Sequence, residues 1–273
     1  MKYVYLEVFN GFNDILCSMM QVYEWCKKHD RALIVNSKKG VYKVHFYDYF
    51  DIPGILLDPS ILKDFQGTIH PPELQGKMND ILDETILFST AGHDGFYQNK
   101  LELVDTDADV IIFSRGAGGY GLPMFQQIRF RPFLFDIMKE RQRCLTPPYL
   151  CIHIRNTDFK CDYQKVFYQQ EKKIRSFKEV YLCTDDVSSL DFYRGKRIPV
   201  KNFTTFPTHP YTSLHNSTID PHIKMVDLFC DIYIAGLSQA ILSNSEGGFI
   251  MLLRSIHDSM KVKDKIGMSL NNR

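Results

Sequence analysis

A histidine, an arginine and an aspartate stand at 153, 155 and 158, interleaved with and following the apolar run Tyr149-Leu-Cys-Ile. A short run of that kind reads as a buried strand, so the polar groups sit where the strand ends and the chain turns. In open α/β sheets the ligand crevice lies beyond the carboxyl ends of the strands. A guanidinium held there suits a phosphate, because its planar fork of donors matches two oxygens at once. The same residues also make an ordinary structural arrangement, an Arg155–Asp158 ion pair beside a half-buried histidine. The rest of the chain has to decide between the two.

Further groups of the same kind recur along the sequence. Val180-Tyr-Leu-Cys-Thr is a second strand that ends in Asp185 and Asp186. Ala240 to Leu242 is a third, followed by Ser243-Asn-Ser-Glu-Gly-Gly and a helix from Phe249 to His257. A strand, a glycine-rich turn and a helix start together form a phosphate cradle, since the first helical turn leaves backbone N–H groups without carbonyl partners. Ser245, Gly247 and Gly248 would line it. It is equally a tight connection with no ligand. Asp162 follows Arg155 in the same loop, and Asp158 and Asp14 are its rivals as an acceptor of protons. His215, in Ser213-Leu-His215, is a candidate to bond a phosphate or ribose oxygen. Asp105, Asp107 and Asp109 have the spacing of a metal-binding acidic pair but precede their strand, so they read as a solvated turn, and no metal site is expected. Asp227 and Asp231, one helical turn apart, read as a solvated or interdomain face.

These groups need two sets of elements to hold them. Tyr3 to Phe9 reads as a strand and Asn10 to Asp14 as a turn. A helix follows with its apolar stripe at Ile15, Met19, Val22 and Cys26, and Ala32 to Val35 completes a β-α-β unit. Residues 40–108 are aromatic and proline-rich with mixed periodicity, and their elements cannot be ordered from the sequence. Asp109 to Phe113 is a strand leading into the glycine-rich loop 114–121, and a helix-like stretch spans about 124–142. The pair Pro147-Pro148 marks the linker. The chain therefore divides into domains at 1–146 and 147–273, within the 273 residues and 44% apolar composition that two compact domains need. Thirty-three basic and thirty-two acidic residues give a net charge of +1, which argues against a nucleic-acid partner. No apolar run reaches the roughly 18 residues of a membrane span, and no secretory leader is evident. Seven unpaired-looking cysteines fit a reducing compartment, so a cytoplasmic protein is expected.

Taken in order, Phe12-Asn13-Asp14-Ile15, His153-x-Arg155-x-x-Asp158, Leu182-Cys-Thr-Asp-Asp186, Ser213-Leu-His215 and Ser243-Asn-Ser-Glu-Gly-Gly-Phe249 resemble the motifs of the fucosyltransferase-like glycosyltransferases. That superfamily embraces α1,6-fucosyltransferases, rhizobial nodulation fucosyltransferases and protein O-fucosyltransferases. The resemblance implies a GT-B type α/β fold, two Rossmann-like domains facing a central cleft. It implies a metal-independent, inverting transfer of a sugar, foremost fucose from GDP-fucose, to a hydroxyl of an oligosaccharide or glycoconjugate, with no cofactor beyond the nucleotide-sugar. Arg155 would hold the donor β-phosphate with His153 beside it, Asp185 would contact the nucleoside, and Ser243 to Gly248 would close over the diphosphate. Asn13 and Asp14 fall at the acceptor side. The chain departs from the pattern at Asp14, where the family has glutamine, at Asn156, where the α1,6 branch has a second arginine, and at Glu246-Gly247. Another donor such as UDP-xylose would keep every motif, and loss of catalysis would leave a nucleotide- or glycan-binding module. A Rossmann dehydrogenase is disfavoured, because no Gly-x-Gly-x-x-Gly follows the first strand.

Overall fold

The computed structural model describes residues 1–86, 101–114, 116, 118–156, 160–207, 214 and 217–265. They form two compact units, Met1–Arg131 and Pro132–Arg273.

The first unit contains β1 (Lys2–Glu7), α1 (Phe12–Lys28), β2 (Arg31–Asn36), β3 (Phe50–Asp51), β4 (Ile55–Leu56), β5 (Ile69–His70), α2 (Met78–Leu82), β6 (Val110–Ser114), α3 (Leu122–Phe125) and β7 (Arg129–Phe130). Five strands make a parallel sheet in the order β4-β2-β1-β6-β5, and β3 pairs with β7 as a separate antiparallel ribbon. β1 is central and its last four residues are buried, as an apolar run in a two-sided parallel sheet requires. Side chains alternate along it, so Tyr5 joins Ile34, Ile69, Val110 and Ile112 on one face. That face is covered by Leu62, Leu74, Met78, Ile81 and Leu101. Among the described residues of 40–108, the anchors sit on short turns and on the five-residue α2, an arrangement with no steady period. α1 packs on β1 and β2.

The second unit contains α4 (Pro132–Arg143), β8 (Leu150–Ile154), α5 (Tyr163–Arg175), β9 (Val180–Thr184), α6 (Val187–Gly195), β10 (Val200–Lys201), α7 (Pro221–Leu237), β11 (Ala240–Leu242) and α8 (Gly248–Lys265). Its parallel sheet runs β10-β9-β8-β11. Leu150, Ile152, Ile154, Val180 and Leu182 face Val166, Phe167 and Ile174 of α5 and Leu190 and Tyr193 of α6. The alternate residues Cys151, His153, Tyr181 and Cys183 point to the opposite face. There Tyr181 and Cys183 meet Asp231 of α7, and His153 meets Phe249 of α8.

Two expectations are corrected by this arrangement. The break between units falls at 131/132, not at 146/147, because α4 buries Leu134 and Met138 and packs on α7. Asp227 and Asp231 are buried, not solvated. Asp227 accepts from Arg141 Nη1 at 2.6 Å and from the Thr205 N–H at 2.8 Å. Asp231 accepts from the Tyr181 hydroxyl and from Cys183 Sγ at 3.3 Å. Among the described residues no helix is long and apolar enough to cross a membrane. None of the seven cysteines is in a disulfide.

Burial pushes the Asp231 carboxyl up to about 7. In the unfolded chain it titrates near 3.9, so the folded state keeps a proton that the unfolded state releases. The resulting stability is complete below about pH 4 and is lost as pH rises towards 7. Asp231→Asn cannot titrate. Its melting temperature relative to wild type is expected to rise steadily between pH 4.5 and 7.5, whatever constant offset the amide introduces. A difference that stays flat across that range would show that Asp231 is already ionised in the fold.

Candidate active site

Strand order fixes where a ligand can enter each sheet. From β8 the chain moves outward through β9 to β10, then returns along α7 to place β11 on the other side of β8. The loops leaving β8 and β11 diverge to opposite faces, which opens a crevice at their carboxyl ends. Arg155 leaves β8 at that crevice, and Ser243 to Gly247 leave β11.

The β11 loop is built by its serines. Ser243 Oγ accepts the Ser245 N–H at 3.1 Å, and Ser245 Oγ accepts the Gly247 N–H at 3.3 Å. Two of the backbone amides expected to face an anion, those of 245 and 247, are therefore taken by hydroxyls. Helical bonding begins with Met251 N–H to Gly247 O at 3.2 Å, so the amides of Gly248, Phe249 and Ile250 precede the helix's own carbonyl acceptors. Glu246 is exposed. Arg254 Nη2 donates to Ser243 O at 3.2 Å and supplies a second cation that the sequence motifs did not single out.

His153 does not reach solvent. It is buried, with Nδ1 3.1 Å from Ser243 Oγ and its ring 5.6 Å from that of Phe249. Burial, with Arg155 and Arg254 nearby, pushes its pKa down to about 3, so the ring is neutral. Its bond to Ser243 joins β8 to the β11 loop across the crevice. Arg155 is half-buried, and its Nη1 would lie 3.5 Å from a Cβ built on Gly247. The guanidinium thus lies against the glycine backbone at the head of α8. Cys161, another residue that sequence reasoning passed over, is buried near Ser245 and Arg155, and burial raises its thiol pKa.

The acidic candidates are mostly occupied. Asp162 is exposed and caps α5, its Oδ1 accepting the Lys165 N–H at 2.9 Å, while its carbonyl accepts Asn244 Nδ2 at 2.7 Å. Asp185 Oδ1 accepts the Asn156 N–H at 2.8 Å. Asp158, Ser213 and His215 lie outside the described residues.

The first unit has its own switch, between β1 and β6. Asn13 is buried there: Nδ2 donates to Gly119 O at 3.1 Å and Oδ1 accepts the Gly121 N–H at 3.2 Å. It clips the glycine-rich loop to α1. A Cβ at Gly121 would meet Asn13 Oδ1 at 2.8 Å, so this glycine serves packing. Asp14 is half-buried in the first turn of α1, where its charge favours the helix dipole. Asn10, at φ 78°, is an exposed non-glycine residue in left-handed backbone beside Gly116. Glu7, at the end of β1, is buried against Lys39 at 3.2 Å.

Arg155 and the amides at the head of α8 thus lie at the same crevice, and such groups can donate to an oxyanion. Among the described residues no three His, Cys, Asp or Glu side chains cluster as metal ligands.

No protein-family model and no curated protein sequence matches the chain. Solved structures do. NodZ α-1,6-fucosyltransferase co-crystallized with GDP shares 15% identity at a TM-score of 0.63, covering 93% of this chain and 92% of that one. Fucosyltransferase NodZ from Bradyrhizobium shares 16% at 0.61, over 93% of each chain. POFUT1 in complex with GDP shares 12% at 0.60, over 94% of this chain and 95% of that one. At these identities the likeness is one of fold: α/β, GT-B type, with two Rossmann-like units.

Proposed function

We propose that this protein is an inverting, metal-independent glycosyltransferase that moves fucose from GDP-fucose to a hydroxyl of an oligosaccharide or glycoconjugate. The observation that carries the reading is Arg155 set against Gly247 at the β8/β11 switch, in a fold shared with proteins crystallised with GDP and GDP-fucose. When the sugar C1–O bond breaks, its electron pair goes to the diphosphate and charge grows on the β-phosphate. A fixed guanidinium aimed there helps the transition state more than the ground state. The acceptor oxygen attacks C1 from the opposite face, and its proton passes to a carboxylate. We assign that proton to Asp162 or Asp158, the acids that follow Arg155 in the sequence. Seven cysteines without a disulfide support a reducing compartment such as the cytoplasm.

The test is thermal stabilisation by GDP and by UDP, each with and without EDTA. A ligand that binds only the folded state at a hundred times its Kd adds about 2.7 kcal/mol. A rise in melting temperature with GDP but not UDP, unaffected by EDTA, is the expected result. A shift with UDP alone would change the donor to one such as UDP-xylose. No shift with either nucleotide would overturn the reading.

A further inference from the structure

We infer that Asn156 is a positioning residue for Arg155, stapling the turn after β8 to the turn after β9; the inference rests on the donor-site reading above. The backbone N–H of Asn156 donates to Asp185 Oδ1 at 2.8 Å, and its side-chain Nδ2 donates to Asp186 Oδ2 at 2.7 Å. Asp186 is itself fixed. It is buried, its Oδ1 accepts the Ser188 N–H at 3.1 Å to cap α6, and its Oδ2 takes the Ser188 hydroxyl at 2.6 Å. Its own N–H donates to Thr184 Oγ1 at 3.2 Å. Asn156, the residue next to Arg155, is therefore tied to a rigid helix start.

The residue type matters as much as the contacts. An arginine at 156 would set a charge beside Arg155. Asparagine meets Asp186 with a neutral side-chain amide, and any residue's backbone N–H could meet Asp185, so the turn is braced without placing a second cation immediately beside Arg155. A group whose side-chain donor is satisfied by Asp186 and whose N–H is satisfied by Asp185 fixes the direction in which the preceding side chain leaves the backbone. Misaiming a charged group by about 1 Å costs on the order of 100-fold in rate.

The test uses Asn156→Asp, Asp186→Asn and the double swap. Aspartate at 156 keeps the backbone bond but sets an acceptor against Asp186. The swap restores one N–H···O bond in reverse, and asparagine at 186 still caps α6. The expected result is a turnover with GDP-fucose at least tenfold lower for Asn156→Asp, a GDP affinity changed less than threefold, and recovery of most of the turnover in the swap. Wild-type turnover and GDP affinity in Asn156→Asp would overturn the inference, as would a swap that restores the melting temperature but not the turnover. Absence of GDP binding by the wild-type protein would overturn the donor-site reading and the inference together. GDP binding with an indifferent Asn156→Asp would sink the inference alone.

Discussion

Arg155→Ala is expected to lower turnover with GDP-fucose about a thousandfold, the magnitude lost when a fixed donor to a developing oxyanion is removed. The melting temperature should fall by no more than about 2 °C, because Arg155 is half-buried at a crevice and a surface pair contributes at most about 1 kcal/mol. Arg155→Lys should fall between the two, since an ammonium keeps the charge but loses the fork that spans two phosphate oxygens. Initial rates at saturating donor, with melts of the same preparations, check both halves. A variant that turns over normally but melts much earlier would make Arg155 a structural ion-pair partner.

Arg141→Ala is expected to produce the largest loss of stability, about 3 kcal/mol or roughly 10 °C in melting temperature. Asp227 is buried, and without Arg141 it keeps the Thr205 N–H but no cation. Arg141 also lies over the Phe203 ring at 5.9 Å and so holds the strand-end segment beyond β10 to α4. Removing one partner of a buried pair leaves a desolvated charge, whereas replacing both by apolar groups removes the penalty as well as the attraction. The pair Arg141→Met with Asp227→Leu should therefore recover most of the loss. A loss below 1 kcal/mol in the single variant, read from denaturant melts, would mean that water reaches Asp227.

How far the sequence carries this account depends on the element. The β1-α1-β2 unit and strands β8, β9 and β11 were legible because apolar runs and a 3.6-residue stripe are direct consequences of burial. The region 40–108 was not, since Leu62, Leu74 and Leu101 cover the sheet singly and Met78 and Ile81 do so from the single short helix α2. Asp227 and Asp231 were misread because a polar pair one turn apart normally marks a wet face. α7, however, buries Met225 through Asp227, Phe229 through Ile232 and Ile234 through Gly236, so it has almost no wet face. Consecutive prolines are a strong local signal for a break, while the packing of α4 on α7 is a tertiary fact that no local signal carries. At the site, residue types pointed to the ends of β8, β9 and β11. They could not reveal that Ser243 and Ser245 spend their hydroxyls on their own loop, that Asp162 caps α5, or that Asn13 clips the 119–121 backbone. Those hydrogen bonds depend on side-chain rotamers, which residue type and spacing do not fix.

The central claim is that the β8/β11 switch binds a nucleoside diphosphate through Arg155. Calorimetric titration of wild type and Arg155→Ala with GDP in EDTA tests it most directly. Saturable binding by the wild type, weakened at least tenfold in a variant that still folds, is the predicted result. Equal affinity in the two proteins, or no heat of binding in the wild type, would contradict it.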